Sequence, residues 1–434
     1  MCGPAVGAGI INSRMDLLAD LDARGLTHDT TDRAALAARL AQGPIGLYIG
    51  FDPTADSLHV GHLVGQLFLR RFQQQGHRPF PLAGGATGMV GDPGGRSEER
   101  NLLDLDTLRH NVECIKAQLT KLLDFEPGPY QATLVNNADW TNEMRLLDFL
   151  RDVGKYSTVN QMIAKDSVRN RLDSENGISF TEFSYSLLQA NDFHHLYETY
   201  GVEMQSGASD QWGNIVAGVD LIRRRLGKQA FAYTHPLITK SDGQKFGKSV
   251  GGAVWLDPQR TSPYQFRQFW VQTDDDMVGV YLKMLSLRPL DEIEAVLTEH
   301  AAAPQRRHAQ RALAAELTAM VHGSEAAAVT DDVAVVLFGG DPTTASAEAL
   351  AAVAREVPSS SQPRAALDDT VALLVATGLA SSNGDARRTL AQRGFRANGV
   401  QLDENSQLSD LALLHGRYVL LRKGKSNHHL VEIS

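Results

Sequence analysis

Cysteine is nearly absent from this chain: Cys2 and Cys114 are the only two in 434 residues. That excludes a disulfide framework and a thiolate zinc site, and it suits a reducing cytoplasm. Long apolar runs are missing too. No segment approaches the roughly 18 apolar residues of a membrane helix, and the N-terminus has no charged region leading into an apolar core. Neither a membrane nor a targeting route is expected. Positive charge is not in excess, since 42 Lys and Arg stand against 51 Asp and Glu. The net charge of −9 excludes a histone-like basic coat and leaves room only for a local patch.

Two common nucleotide loops are also lacking. A P-loop needs four residues between its first glycine and Gly-Lys-Ser, yet Asp242 holds the position that Gly247-Lys248-Ser249 would require to be glycine. The segment Gly84-Gly85-Ala86-Thr87-Gly88-Met89-Val90-Gly91-Asp92 contains no Gly-x-Gly-x-x-Gly, so a nicotinamide cofactor is disfavoured.

Two short signatures remain. His59-Val60-Gly61-His62 follows the apolar run Leu47-Tyr48-Ile49-Gly50-Phe51 and precedes Leu63, Leu67, Phe68 and Phe72 at helical spacing. The order is strand, loop, helix N-terminus. Such an end offers unpaired N–H groups and a positive dipole to a phosphate, and two imidazoles three residues apart can donate to its oxygens. Gly61 leaves room for a nucleobase against the backbone. Further on, Lys245 and Lys248 stand in a polar turn beginning Lys240-Ser241-Asp242-Gly243-Gln244, where ammonium groups can close over a polyphosphate. The pair of signatures reads as an ATP site.

A chain of this length divides into two or three domains. Residues 1–14, rich in Gly and Ala, read as a disordered extension whose removal is expected to change little, with Met15 as an alternative start. From Met15 to Tyr233, strand-like runs at Leu47–Phe51, Arg78–Leu82 and Ala132–Val135 alternate with helical stretches, as in an α/β domain with a mostly parallel sheet. The loops after such strands, Gly50-Phe51-Asp52 and Gly84 to Asp92, should converge on one crevice. From Ser262 to Phe338 the periodicity is helical, as in Ala309–Val321. Pro358-Ser359-Ser360-Ser361-Gln362-Pro363 reads as a linker. Beyond it, between Asn383 and Lys425, eight Lys and Arg face four Asp and Glu, a local net of +4 that suits RNA.

Five segments together resemble the bacterial tyrosyl-tRNA synthetases, a family of class I aminoacyl-tRNA synthetases. They are Gly50 to His62, Gly84 to Gly88, Ser179-Phe180-Thr181-Glu182-Phe183-Ser184-Tyr185, Ser209-Asp210-Gln211-Trp212-Gly213-Asn214, and Lys245-Phe246-Gly247-Lys248-Ser249. The likeness runs from Met15 to the end. It implies an α/β fold with a Rossmann-like parallel-sheet catalytic domain over 15–235, containing a dimer-forming insertion. A lysine-loop and helical anticodon-binding domain follows over 236–345, then a linker over 346–366 and a small α+β RNA-binding domain over 367–434. Gly416 to Lys425 carries the likeness of that last module.

The resemblance also implies roles. Thr54, His59 and His62 hold ATP phosphates and ribose, Gly50, Asp52 and Gly61 line the nucleotide, Asp210 binds the ribose hydroxyls, and Lys245 and Lys248 follow the departing pyrophosphate. Arg96 and Arg100 belong to a mobile catalytic loop. Tyr48 and Asp192 read a phenol hydroxyl, Asp92, Tyr185 and Gln189 hold an α-amino group, and Gln211 lies near the amino-acid carboxylate. The residues agree, since an ammonium needs a carboxylate and a phenol needs an acceptor with a donor. Tyr185, Gln189 and Asp192 at i, i+4 and i+7 share one face of a helix over Ser184–Tyr197. Ile49, Gly65, Ala208 and Arg96 depart from the commoner pattern, where a small polar residue, threonine, glycine and lysine are usual.

The expected partners are ATP with Mg²⁺, L-tyrosine, tRNA(Tyr) and a second copy in a homodimer. No organic cofactor is expected and no protein metal site is visible, so His194-His195 and His428-His429 read as ordinary histidines. Two alternatives stay open: a small-molecule nucleotidyltransferase, and an RNA-binding paralogue without synthetase activity.

Overall fold

The computed structural model describes residues 16–93, 103–172, 177–244, 246 and 252–434. Residues 1–14, Arg96, Arg100, Lys245 and Lys248 therefore lie outside the described residues. Contacts divide the chain into two compact units. One runs to Ser262 and takes in Phe269–Leu317; the other joins Pro263–Gln268 to Thr318–Ser434.

The first unit is built on a six-stranded sheet of β1 (Asp29–Thr30), β2 (Gly46–Phe51), β3 (Arg78–Ala83), β4 (Val135–Asn136), β5 (Val202–Ala208) and β6 (Phe231–His235), in the order β1-β6-β5-β2-β3-β4. All neighbours pair in parallel except β1 with β6. Helices cover both faces, which is why β2 and β3 are near-continuous apolar runs rather than alternating ones. The expected strand over Ala132–Val135 shrinks to Val135–Asn136. Its start is delayed because Ala132 N donates to Asp124 O at 2.8 Å outside the sheet, and its end is set by the Asn136 amide oxygen, which accepts from Gly85 N at 3.2 Å and Ala138 N at 3.1 Å.

On one face lies the helix Leu63–Gln74, whose Phe68 ring sits 5.3 Å from that of Tyr233 on β6. On the other, Phe180–Tyr200 and Trp212–Leu226 press Phe193, Leu196 and Ile222 onto Tyr48 and Phe80. Gly218 permits that approach, because a Cβ there would stand 2.9 Å from the Phe193 ring. Ser179 caps the first of these helices through Glu182 N, and Gly201, at φ 65°, ends it in the left-handed conformation. Glu182 itself is buried and takes two contacts from the equally buried Arg171, at 2.9 and 2.8 Å. Part of the Ser179–Tyr185 signature is thus structural.

The helical stretch after Ser262 is present as Pro263–Val271, Asp275–Leu285, Leu290–Ala302, His308–His322 and Ser324–Leu337. Within the first unit, Arg71 on the helix Leu63–Gln74 and Arg24 both donate to the Ser286 carbonyl, just past the C-terminus of Asp275–Leu285. Two buried cations thereby meet the negative end of a helix dipole.

The second unit corrects two expectations. Residues 346–366 are not a linker: Ala347–Glu356 is a helix, and Ser359–Gln362 forms β7. With β8 (Phe395–Ala397), β9 (Val400–Gln401), β10 (Tyr418–Lys423) and β11 (Asn427–Ile433) it makes a sheet in the order β7-β11-β10-β8-β9. The serines were misleading because β7 contributes backbone pairing to β11 at an edge and needs no apolar side chains. The boundary expected at 345 also moves, since Val333 and Val336 of Ser324–Leu337 pack with Leu350 and Val353 against Tyr418, Leu420 and Leu430. Val419, Leu421 and Val431 point the other way, onto Leu373, Leu374 and Leu390.

The buried Arg171–Glu182 pair supplies a stability test. Glu182→Ala strands a guanidinium in the interior and is expected to lower the unfolding free energy by about 3–5 kcal/mol in urea titration. The double change Arg171→Met with Glu182→Leu should recover most of that loss, and a single-variant loss under about 1 kcal/mol would count against the pair.

Candidate active site

The strand order reverses between β2 and β5, and in open parallel sheets a ligand crevice opens outside the carboxyl ends at such a reversal. A cavity of about 620 Å³ lies there. β2 delivers Gly50, Asp52 and Thr54, the loop after β3 brings Thr87 and Asp92, and the turn after β5 brings Asp210 and Gln211. His59, Gly61 and His62 approach from the start of the helix Leu63–Gln74, while Tyr185, Gln189 and Asp192 come from one face of Phe180–Tyr200. Every expected site residue that the structure describes, Tyr48 included, borders this one cavity.

Tyr48 and Asp192 are among its most buried lining residues, at 1% and 2% exposure. A carboxylate so buried must be given hydrogen bonds, and Asp192 accepts from Trp140 Nε1 at 2.9 Å and Asn137 Nδ2 at 2.9 Å. Burial still raises its carboxyl to about 7, against the pull of those two donors. The Tyr48 hydroxyl donates to the Gln189 carbonyl at 3.5 Å, and burial, reinforced by Asp192, pushes it well above the usual phenol range. The pair thus offers a hydroxyl and a strongly accepting carboxyl side by side. Asn137 and Trp140 were not anticipated, although their place just past the Ala132–Val135 run marks a strand's carboxyl end.

A second carboxylate cluster lies nearby. Asp52 accepts from the Thr87 hydroxyl at 2.8 Å and the Tyr185 hydroxyl at 2.8 Å, which ties it to one of the residues expected to hold an amine while it also borders the cavity. The cause is the tight turn after β3, which brings Thr87 to it. Gly84 makes room, because a Cβ there would collide with Asp52 Oδ1 and Thr87 Oγ1. Asp92 accepts from Gln211 Nε2 at 2.5 Å, and Gln211 in turn accepts from Asn214 at 3.3 Å. Lys165, another unanticipated neighbour, donates to Asn214 at 3.5 Å; burial lowers it to about 8, with Asp92 opposing.

The two histidines cap each other's turn. His62 Nδ1 accepts from His59 N at 3.1 Å, and His59 Nδ1 accepts from Gly61 N at 3.1 Å. A backbone N–H can only donate, so both Nδ1 atoms are unprotonated and both Nε2 atoms carry the hydrogen. Burial holds the rings neutral, lowering His59 to about 4 and His62 well below its usual value. They can serve a phosphate as neutral donors. Gly61 borders the cavity, and its lack of a side chain also serves the cap, because a Cβ there would stand 2.9 Å from the His59 ring.

The segment after the lysine turn returns to this loop. Val60 N donates to Val254 O at 2.9 Å and Leu256 N to Leu58 O at 2.8 Å, with Trp255 edge-on to His59. On the near side Phe246 is buried among Phe269, Trp270 and Tyr281. Among the described residues no group of three or more His, Cys, Asp or Glu is placed to hold a metal.

A family model described as tRNA synthetases class I (W and Y) matches residues 40–339, and one described as a Tyrosine--tRNA ligase SYY-like C-terminal domain matches 349–431. The Tyrosine--tRNA ligase of Opitutus terrae is 52% identical over 424 residues, covering 96% of this chain and 100% of that one. The one from Roseiflexus castenholzii is 49% identical over 422 residues, covering 96% and 99%. Among solved structures, a C-terminally truncated Aspergillus nidulans mitochondrial tyrosyl-tRNA synthetase is similar at a TM-score of 0.69 and 34% identity, over 75% of this chain and 95% of that one.

Nitrogen-detected NMR at pH 6 is expected to show His59 and His62 as neutral Nε2–H tautomers; an Nδ1–H signal from either would refute the reciprocal cap. The sign of the pH effect follows. Unfolded imidazoles take up protons near 6.5 while His59 waits until about 4, so these residues make stability fall as pH drops from about 6.5 to 4.

Proposed function

The chain belongs to the class I tRNA synthetases of the W and Y family, and from that premise we propose that it activates L-tyrosine with ATP and transfers it to the 3′ end of tRNA(Tyr). The observation that carries the choice of amino acid is the buried pair Tyr48 and Asp192. Their hydroxyl and carboxyl suit a phenol O–H, which both donates and accepts. Phenylalanine would offer nothing to the lone pairs that Asp192 and Tyr48 keep after their bonds to Asn137, Trp140 and the Gln189 carbonyl, and it would still exclude water from them. Tryptophan offers only a donor and would leave the Tyr48 hydroxyl poorly used. At the amine end, Asp92, Tyr185 and Gln189 receive the ammonium, with Asp52 behind Tyr185.

The tyrosine carboxylate is already a nucleophile, so no side chain need be attached to it. Its oxygen attacks the α-phosphorus of ATP in line; that O–P bond forms as the bond to the bridging oxygen breaks, releasing pyrophosphate. In the second step a terminal ribose hydroxyl of the tRNA attacks the acyl carbon and AMP leaves. Catalysis is then positioning plus stabilisation of charge. Gln211 orients the carboxylate, Thr54 and the Nε2–H groups of His59 and His62 donate to phosphate oxygens, and Asp210 holds the ribose. Lys245, Lys248, Arg96 and Arg100 supply the cations for the leaving group. Mg²⁺ comes with ATP as part of the substrate, in keeping with a cavity whose carboxylates are engaged by the protein's own donors.

Residues 349–431 serve as the RNA-binding module, and the helices that follow Ser262 contact the anticodon stem. We also propose a homodimer. Leu146, Leu147, Leu150, Val159, Ile163 and Phe180 are exposed apolar residues concentrated between 146 and 180, with Leu147 at 75% and Phe180 at 76%. Such a concentration is the mark of an interface.

Two measurements test these readings. Pyrophosphate exchange without tRNA should proceed with tyrosine, far more slowly with phenylalanine, and fail with tryptophan. Asp192→Ala should cut the tyrosine rate by about ten- to a hundredfold and the phenylalanine rate far less. Equal losses would sink the phenol assignment, and exchange with tryptophan would overturn the roles of Tyr48 and Asp192. For the dimer, sedimentation should give twice the chain mass for the native protein and a monomer for Leu147→Glu; a native monomer would end that proposal.

A further inference from the structure

The two carboxylates of the amino-acid site are not independent. Ala86 N donates to Asn137 Oδ1 at 2.7 Å, and because a backbone N–H can only donate, this fixes which way the Asn137 amide faces. Its Nδ2 then has two protons to place. One goes to Asp192 Oδ2 at 2.9 Å and the other to Thr87 Oγ1 at 3.0 Å. With an Oγ1 lone pair taken, the single Thr87 proton goes to Asp52 Oδ1 at 2.8 Å. Asn137 is fully buried and Thr87 is 3% exposed, so water does not compete for these bonds. One backbone group thus sets the polarity of a continuous chain of donors that ends on a carboxylate at each extremity.

We propose that Thr87 and Asn137 are positioning residues that couple recognition at the amine end to recognition of the phenol, by holding Asp52 and Asp192 at a fixed spacing. The proposal rests on the tyrosine-activating reading above. An amide turned the other way would set its oxygen against the Asp192 carboxylate, so the link has only one working orientation. Asp52 reaches the ligand through the Tyr185 hydroxyl that it holds, so a ligand that meets both ends finds Tyr185 and Asp192 already aligned, and the alignment costs nothing at binding. Break the link and each carboxylate settles separately. A substrate with both an ammonium and a hydroxyl then loses more than one with the ammonium alone.

The test is pyrophosphate exchange by the full chain with tyrosine and with phenylalanine, in native protein, Thr87→Val and Thr87→Ser. Valine keeps the shape and removes the hydroxyl; serine keeps the hydroxyl. Thr87→Val is expected to lower the tyrosine to phenylalanine ratio of kcat/KM by about tenfold, the scale of one hydrogen bond, through a raised KM for tyrosine. Thr87→Ser should restore the native ratio. Should the valine variant fail to fold, Asn137→Ala must lower the same ratio. Equal loss for both substrates, or a serine variant as impaired as the valine one, would overturn the coupling. Native protein without tyrosine-dependent exchange would instead remove the underlying reading, before any variant is compared.

Discussion

Everything the pocket can do depends on β2 being paired between β3 and β5. The chain lays strands down outward from β2 in one direction, then crosses over and continues in the other, which leaves the carboxyl ends of three neighbouring strands open to the same crevice. Each end contributes one chemical part: Asp52 from β2, Thr87 and Asp92 from beyond β3, Asp210 and Gln211 from beyond β5. No loop has to be long to bring these groups together. The parallel ladder sets their spacing, and the packing of Phe193 against Tyr48, ring centres 5.4 Å apart, seats the helix that carries Tyr185 and Asp192.

Much of this could be read from the residues. β2 and β3 announce themselves as apolar runs, and the face shared by Tyr185, Gln189 and Asp192 follows from helical spacing alone. What could not be read were the partners that make those residues work. Asn137 is fifty-five positions from Asp192, and nothing local says that its amide ends there. The resemblance set Asp52 beside the nucleotide, but nothing local says that the turn at Gly84 also brings Thr87 onto it. The protonation of His59 and His62 is likewise a matter of geometry: the spacing says that two imidazoles can donate, and only the backbone bonds at Nδ1 say that they do so as neutral Nε2–H groups.

A common theme joins the two ends of the cavity. Polar groups are taken out of water and then answered by the protein itself, so that the capacity left over is directed at a ligand. Both carboxylates receive donors and keep lone pairs for a substrate's own hydrogens. Both imidazoles spend Nδ1 on the backbone and keep Nε2–H for oxygen. The site is organised before anything binds, which is what electrostatic catalysis requires of it.

The serine-rich strand β7 has a consequence for how this protein can be divided. It closes one side of β11, whose other side is already taken by β10. A fragment begun at residue 367, where composition suggests a self-contained basic module, would lack β7 and present β11 as a naked edge with Leu430 and Val431 in it. Open edges of that kind recruit other chains. The C-terminal module therefore cannot be inherited, exchanged or excised as a bead beginning after its prolines; its natural start lies upstream, with the helices that cover the sheet's other residues.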